Sequence, residues 1–299
     1  MEILSINNLE KSFGKKEVLK GLSLSVPEHS VFGFVGRNGV GKTTTMKAVL
    51  GLLRPDKGEI YISGEKVSYG NTATNRYVGY LPDVPEFYSF MTPSEYLYLC
   101  GESLNMDRAD IKKRSCELLS MVGLEKEKSR IKGFSRGMKQ RLGIAQALIG
   151  RPKLLICDEP TSALDPVGRK EILDILLSAR EETTVFFSTH ILSDVERICT
   201  EIALLNDGKI AMQGTPEKLK KGRDRDEFTV ELLNDEGLKR LSAAFPDSQI
   251  TQKETIKFFG GEKEMFEVLG FIKNNEIPIN KLERCEPTLE ALFMEVINK

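Results

Sequence analysis

A glycine-rich loop from Gly36 to Thr43 constrains the fold of this chain more than any other stretch, because it fits the pattern G-x-x-x-x-G-K-[ST]. The apolar run Val31 to Val35 precedes the loop and predicts a buried strand. Apolar residues at helical spacing follow the loop and predict a helix. A strand, a glycine loop and a helix in this order turn backbone N–H groups and a helix N-terminus toward an anion. The stretch therefore predicts an α/β fold that binds a nucleoside triphosphate.

Two side chains at the end of the loop supply what phosphate chemistry needs. Lys42 can reach the β- and γ-phosphates of a nucleotide, and the hydroxyl of Thr43 can hold Mg²⁺. A chance glycine turn is the alternative interpretation, and the flanking strand and helix argue against it. The loop residues predicted to contact the nucleotide are Gly36, Arg37, Asn38, Gly39, Val40, Gly41, Lys42, Thr43 and Thr44.

A pair of acidic residues follows a second apolar run. The stretch from Leu154 to Pro160 predicts a buried strand, in which four apolar residues lead to Asp158 and Glu159 at its end. Open α/β sheets bind ligands at the carboxyl ends of their strands, so both carboxylates are expected beside the phosphate loop. We predict that Asp158 holds Mg²⁺, directly or through water, and that Glu159 orients or deprotonates the attacking water. Two solvated acids at a strand end are the alternative.

A histidine and an aromatic residue complete the set of candidates. His190 ends a buried strand predicted over Thr184 to His190, so we expect it at the same edge of the sheet. We predict a catalytic role for it beside Lys42 and Glu159, against the alternative of a hydrogen-bonded structural histidine. Phe13 precedes a glycine turn, where stacking on a nucleotide base and a place in the core or an edge strand are both open.

The composition bounds the class of protein. The 299 residues carry a net charge of −1, so no basic surface demands nucleic acid or anionic lipid. Five scattered cysteines without a C-x-x-C pair fit a reducing cytosol rather than a disulfide framework. The first residues show no export signal, and no apolar run approaches the roughly 18 residues that cross a bilayer. A function at a membrane therefore requires a membrane span from another chain.

Helical patterns interrupt the strands in the middle of the sequence. Apolar spacing between residues 93 and 131 predicts helices, and Ser135 is a good cap for the next one. We expect a helical subdomain over about residues 84–150. The loop Pro82 to Phe90 carries three aromatic residues and packs either onto a partner or into the chain's own core.

The end of the chain shows a second alternation of strands and helices. A charged stretch from Lys218 to Glu227 predicts a linker, and an order of strand, helix, two strands, helix and strand follows it. That order is typical of a small ferredoxin-like α+β module. A last helix is expected from Pro287, with one apolar face. The expected domains are residues 1–220 and 221–299.

Taken together, the motifs resemble the ATP-binding subunits of ABC transporters over about residues 1–220. The stretch Phe134 to Met138 is similar to the family signature Leu-Ser-Gly-Gly-Gln and keeps its serine and its second glycine. The resemblance implies that ATP and Mg²⁺ are the cofactors, that Phe13 stacks on adenine and that His190 contacts the γ-phosphate. The further nucleotide-contacting residues that it implies are Ser135, Gly137 and Asp165.

Two departures from the family pattern stand out. Asp83 occupies the position of a glutamine, and aspartate is shorter and charged although still an oxygen ligand. Arg136 and Met138 replace the first glycine and the glutamine of the signature. These variants and the tail Glu286 to Glu290 resemble the bacterial efflux-type branch that handles drugs, peptides or ions. The predicted metal ligands are Thr43, Asp158 and Asp83.

The resemblance also implies partners. One phosphate loop covers only one side of a γ-phosphate, whose hydrolysis needs charge stabilisation on every side. In the family two cassettes meet head to tail, so we expect a homodimer or heterodimer of cassettes, together with integral membrane permease subunits and no nucleic acid. The expected location is cytoplasmic, peripheral on the inner face of the cell membrane. A soluble ABC-type ATPase acting on nucleic acid or ribosomes and a P-loop kinase or GTPase are the alternatives.

Overall fold

The computed structural model describes residues 1–71, 73–221, 227–252, 254–285 and 289–298. The strands are β1 (Glu2–Phe13), β2 (Lys16–Pro27), β3 (Val31–Val35), β4 (Lys57–Ile62), β5 (Glu65–Lys66), β6 (Val78–Leu81), β7 (Leu154–Cys157), β8 (Thr184–Thr189), β9 (Glu201–Asn206), β10 (Lys209–Gly214), β11 (Glu227–Leu232), β12 (Gln249–Gln252), β13 (Thr255–Phe259) and β14 (Ile279–Cys285). The helices are α1 (Lys42–Val49), α2 (Pro93–Ser103), α3 (Arg108–Met121), α4 (Arg136–Leu148), α5 (Pro166–Ala179), α6 (Leu192–Ile198), α7 (Pro216–Lys221), α8 (Asp235–Ala244), α9 (Glu262–Asn274) and α10 (Leu289–Asn298).

The chain forms two compact units, Met1–Pro216 with Phe293–Lys299, and Glu217–Leu292. The domain boundary that the sequence places after residue 220 stays a prediction. The predicted linker begins inside α7, because its lysine and glutamate residues are good helix formers. Its residues 222–226 lie outside the described part of the chain. Among the described residues no helix is long and apolar enough to span a bilayer.

Two sheets build the first unit. One has the order β10-β9-β3-β8-β7-β6 and is parallel except for the hairpin of β9 and β10. The other is antiparallel with the order β2-β1-β4-β5. A shared core joins them, and its largest side chains include Phe32, Phe34 and Phe186 of the parallel sheet and Met46 of α1. The strand predicted at Val31 to Val35 is confirmed.

The helical subdomain is fixed to this core by a buried arginine. Arg114 of α3 is 2% exposed, and its Nη2 donates to the Glu182 carboxylate at 2.6 Å and to the Leu148 carbonyl at 3.3 Å. The hydrogen bond from Arg114 lowers the pKa of Glu182 below its usual range. Because Glu182 directly precedes the segment that leads into β8, this contact ties the helices to the parallel sheet.

The aromatic residues of the loop before α2 differ in their packing, although the sequence left open whether they pack into the chain's own core or onto a partner. Phe87 packs edge-on against Tyr96 of α2, with ring centroids 5.1 Å apart. Tyr88 and Phe90 are 56% and 63% exposed. One aromatic residue therefore stabilises the chain's own fold, and two remain on its surface.

The second unit has the predicted order of elements. Its antiparallel sheet runs β12-β13-β11-β14, which is the strand order of a ferredoxin-like module, and α8 and α9 complete the unit. Phe228 and Phe258 stack in its core with ring centroids 5.0 Å apart. The last helix, α10, begins at Leu289, and the predicted start at Pro287 lies outside the described residues, as do Glu286 and Thr288.

Candidate nucleotide-binding site

The phosphate loop joins β3 to α1 and requires glycine for steric reasons. Gly41 has φ of 116°, and a Cβ there would lie 2.7 Å from the Leu19 side chain. A Cβ at Gly36 would lie 2.8 Å from the Leu205 carbonyl oxygen. At Gly41 the left-handed backbone requires glycine, and at Gly36 the backbone of the neighbouring strand leaves no room for a Cβ.

Lys42 is the buried cation of the site. Its side chain is 6% exposed, and Nζ donates to the carbonyl oxygens of Gly36 at 2.7 Å and Arg37 at 3.3 Å. The same ammonium lies 3.0 Å from Oε1 of Glu159. A buried ammonium needs such partners, since an unpaired one carries a large desolvation cost. The loop carbonyls thus aim Lys42 at the acidic pair that follows β7.

Asp158 is held from both sides by hydroxyl groups. Thr43 Oγ1 donates to one carboxylate oxygen at 2.7 Å, and Ser188 Oγ donates to the other at 2.6 Å. Ser188 also accepts a 2.9 Å hydrogen bond from the backbone N–H of Glu159. Ser188 is not among the residues that the sequence predicts for the site. Its only sequence signal is a hydroxyl directly after the apolar centre of a buried strand, at a position whose neighbours depend on the strand order.

Glu159 links the cation to the histidine. Its carboxylate touches Lys42 through one oxygen and lies 2.9 Å from Nδ1 of His190 through the other. Glu159 has φ of 47°, a left-handed conformation that costs a non-glycine residue about 1–3 kcal/mol. The hydrogen bond from its N–H to Ser188 helps to hold this conformation. The strained backbone therefore aims the side chain into the cleft between Lys42 and His190.

These side chains line one cavity of about 330 Å³. Its wall is formed by Asn38, Gly39, Gly41, Lys42, Thr43, Thr44, Asp83, Asp158, Glu159, Ser162 and His190. The structure thus brings together the phosphate loop, the acidic pair, the histidine and Asp83, as the sequence predicts. The remaining loop residues Gly36, Arg37 and Val40 shape the loop without lining the cavity.

The donor set fits Mg²⁺. Thr43 and Asp158 present a hydroxyl and a carboxylate oxygen 2.7 Å apart, and Mg²⁺ is bound in nucleotide sites by one or two carboxylates together with phosphate oxygens. Among the described residues there is no group of three or more His, Cys, Asp or Glu able to hold a metal alone. Thr43 and Asp158 would therefore hold Mg²⁺ together with a nucleotide, whose charge the ion would neutralise.

Two groups near Asp158 stay uncharged at neutral pH. Burial raises the pKa of Tyr80 to about 12, and the charge of Asp158 adds to that rise. Burial likewise raises the pKa of the Cys157 thiol, with Asp158 again contributing. The negative charge at this end of β7 therefore comes from the two carboxylates that point into the cavity.

Four predicted residues beyond the phosphate loop also lie outside this cavity. Phe13 is 51% exposed at the end of β1, with Lys11 Nζ 5.6 Å from its ring centroid. Ser135 caps α4 by accepting from the Met138 N–H at 3.2 Å, and Asp165 caps α5 in the same way. Gly137 lies in the first turn of α4. Their nucleotide-contacting roles stay predictions.

A buried aspartate that the sequence analysis missed connects the segments after β7 and β8. Asp194 of α6 is 2% exposed, and it accepts from Thr161 Oγ1 at 2.7 Å and from Arg169 Nη2 at 2.6 Å. Thr161 follows the acidic pair, Arg169 lies in α5, and Asp194 follows His190. The bonds therefore fix the segment between Glu159 and α5 against the helix that begins beyond His190.

Comparison with known proteins places these features in a family context. The sequence profile described as "ABC transporter" matches residues 19–162. The chain is 42% identical over 229 residues to "Uncharacterized ABC transporter ATP-binding protein YxlF" of Bacillus subtilis (strain 168), covering 76% of each chain. It is 33% identical over 301 residues to "Bacitracin transport ATP-binding protein BcrA" of Bacillus licheniformis, covering 99% of this chain and 97% of the relative. A solved structure described as "Structure of ATP binding subunit of ABC transporter" matches with a TM-score of 0.66 and 30% identity, over 74% of this chain and 92% of that one.

Proposed function

Because this chain belongs to the family of ABC transporter ATP-binding subunits, we propose that it binds and hydrolyses MgATP to drive efflux through separate membrane subunits. The observation that carries the proposal is the position of Glu159 between Lys42 and His190 in a cavity that also holds Thr43 and Asp158. A carboxylate placed there can orient or deprotonate a water that attacks a γ-phosphate.

The contact between Lys42 and Glu159 suggests how nucleotide prepares the site. A triphosphate carries more negative charge than one carboxylate, so it competes with Glu159 for the ammonium. Once Lys42 is bound to phosphate, Glu159 keeps His190 as its partner and is free to contact water. Nucleotide entry and activation of the base are then the same event.

A second cassette completes the site in this proposal. Ser135 lies on an exposed turn, and its hydroxyl together with the N-terminus of α4 can meet a phosphate presented by another copy. Two cassettes would thereby enclose ATP, as a homodimer or as a heterodimer, and hydrolysis would release them. Phe13, exposed at the end of β1, would stack on the adenine.

The membrane partner is proposed to dock beside the helical subdomain. The exposed rings of Tyr88 and Phe90 lie on the loop that also borders a cavity of about 470 Å³. Exposed aromatic groups of this kind are typical of surfaces that bind another protein. The cassette would then sit at the cytoplasmic face of the membrane. The full-length similarity to a bacitracin transport subunit favours a peptide or drug-like cargo over nucleic acid or the ribosome as the object of the ATPase.

The Glu159→Gln variant tests the catalytic assignment. It keeps the size of the side chain but removes the base, so turnover should fall at least about 100-fold while MgATP still binds and holds the dimer closed. Phosphate release, nucleotide binding and size-exclusion chromatography with ATP measure the three effects. Glu181→Gln, an exposed acid outside the cavity, is the matched control and should hydrolyse ATP normally. Normal turnover by Glu159→Gln would refute the assignment.

Co-purification tests the proposed setting. Membranes from cells that express the tagged chain should yield it together with a polytopic membrane protein, and addition of a chelator should stop ATP turnover. Co-purification of the chain with ribosomes instead would refute the transport function and support the alternative of a soluble ATPase that acts on ribosomes.

A further inference from the structure

Asp83 stands at the boundary between two cavities of the first unit. It lines the nucleotide cavity together with Lys42 and His190. It also lines the cavity of about 470 Å³ beside the aromatic loop, whose wall includes Arg136 and Lys139. A change at Asp83 therefore alters the surroundings of a bound nucleotide and of any occupant of the second cavity.

One face of α4 contacts Asp83 and its neighbours at three successive points. Arg136 Nη2 lies 3.2 Å from the Asp83 carboxylate, and the buried amide of Gln140 donates to the Asp83 carbonyl at 2.7 Å. At Gly143 the helix comes so close that a Cβ would lie 2.5 Å from Leu81. Positions 136, 140 and 143 share one helical face, so the loop and α4 are held together as one body.

The opposite charges of Arg136 and Asp83 indicate what their side-chain contact does. A carboxylate at the rim of a triphosphate site repels the nucleotide unless a cation neutralises it. Arg136 supplies that cation from the first turn of α4. The side chains of Arg136 and Asp83 are 41% and 47% exposed, so the ion pair is weak enough to open when another group binds either partner.

We propose that Arg136 is a positioning residue that neutralises and orients Asp83, while Gln140 fixes the main chain of Asp83 to α4. Two of the positions at which this chain departs from the family pattern, Asp83 and Arg136, therefore compensate each other. This inference rests on the proposed ATPase function.

A double-mutant cycle on the purified chain tests the inference. Arg136→Gln leaves the Asp83 charge unopposed, so KM for MgATP should rise by a factor of about two to five with little change in kcat. In the Asp83→Asn background the same Arg136→Gln change should have no effect on KM. Lys139→Gln removes an equal charge from the same helix and the same cavity, and it should leave KM unchanged in both backgrounds.

The outcomes separate this inference from the function on which it rests. An equal rise of KM in both backgrounds would show that Arg136 acts without Asp83 and would overturn the proposal. An equal rise with Lys139→Gln would reduce the effect to general electrostatics and would also overturn it. Absence of ATP turnover by the unaltered chain would instead refute the proposed function.

A further variant separates the two contacts. Gln140→Met removes the hydrogen bond to the Asp83 carbonyl. Its effect on KM for MgATP should persist in the Asp83→Asn background, because that contact is made to the main chain. Relief would contradict the main-chain part of the proposal. Thermal unfolding of each variant confirms that the helix remains folded.

Discussion

The phosphate loop (Gly36 to Thr43) and the signature turn (Phe134 to Met138) differ in how many of their contacts come from the same chain. Lys42 and Asp158 are 6% and 4% exposed, and each is held by hydrogen bonds from or to the same chain. Ser135 is exposed, and its hydroxyl caps its own helix. The first region is therefore preorganised within one copy, whereas the second lies exposed outside the nucleotide cavity. Under the proposed function the second region contacts the phosphate of another copy, so substitutions in each region should separate ATP binding by one copy from closure of the dimer.

The largest effect within this comparison is expected for Lys42→Ala. It removes one partner of a buried charge pair, a change that typically costs about 2–5 kcal/mol, so affinity for MgATP should fall by at least about 30-fold. Binding of a fluorescent ATP analogue to the isolated chain measures the change. Lys47→Ala, an exposed lysine on the same helix, is the control and should bind normally. Unchanged affinity of Lys42→Ala would remove this residue from the site.

A smaller effect is expected for Ser188→Ala. The change leaves an Asp158 oxygen and the Glu159 N–H without their partner, at a cost of about 1–3 kcal/mol. ATP turnover should fall about tenfold, and its dependence on Mg²⁺ should shift to higher concentration. Ser178→Ala, which removes a hydroxyl bound to a carbonyl of its own helix, should leave both quantities unchanged. Normal Mg²⁺ dependence would show that Ser188 does not position Asp158.

The smallest effect on single-copy properties is expected for the signature turn. Ser135→Ala removes a helix cap worth about 1 kcal/mol and should weaken ATP-driven dimerisation without changing the affinity of one copy for ATP. Ser135→Asp keeps a capping side chain but adds a negative charge. It should therefore retain stability and still fail to dimerise with ATP. Dimerisation by Ser135→Asp at the normal ATP concentration would contradict the phosphate-contacting role.

The parts of the structure that the sequence predicted are those whose pattern lies within a short run of consecutive residues. A strand that ends in Asp158 and Glu159, or a loop between β3 and α1, carries its signal locally. The order of strands and helices in the second unit is of the same kind. The charged residues from Lys218 onward predicted a linker, but α7 continues to Lys221. Lysine and glutamate are common both in linkers and on exposed helices, so charge alone does not separate the two.

The contacts that the sequence could not predict join distant positions. Ser188 meets Asp158 only because β8 lies beside β7, and Asp194 reaches Thr161 only after α6 has packed. The pairing of Asp83 with Arg136 likewise spans 53 positions. A polar residue in an apolar strand signals that it needs a partner, but the partner is defined by the tertiary fold.

The strand order has a consequence for what can vary at this site. β8 lies between β3 and β7, so the strand that feeds the phosphate loop and the strand that ends in the acidic pair are two ladder steps apart, roughly 10 Å. The distance between β3 and β7 is set by main-chain pairing, which substitutions of side chains leave in place. Residues at the rim of the cavity, such as Asp83 and Arg136, can therefore change while the width available to a triphosphate stays the same.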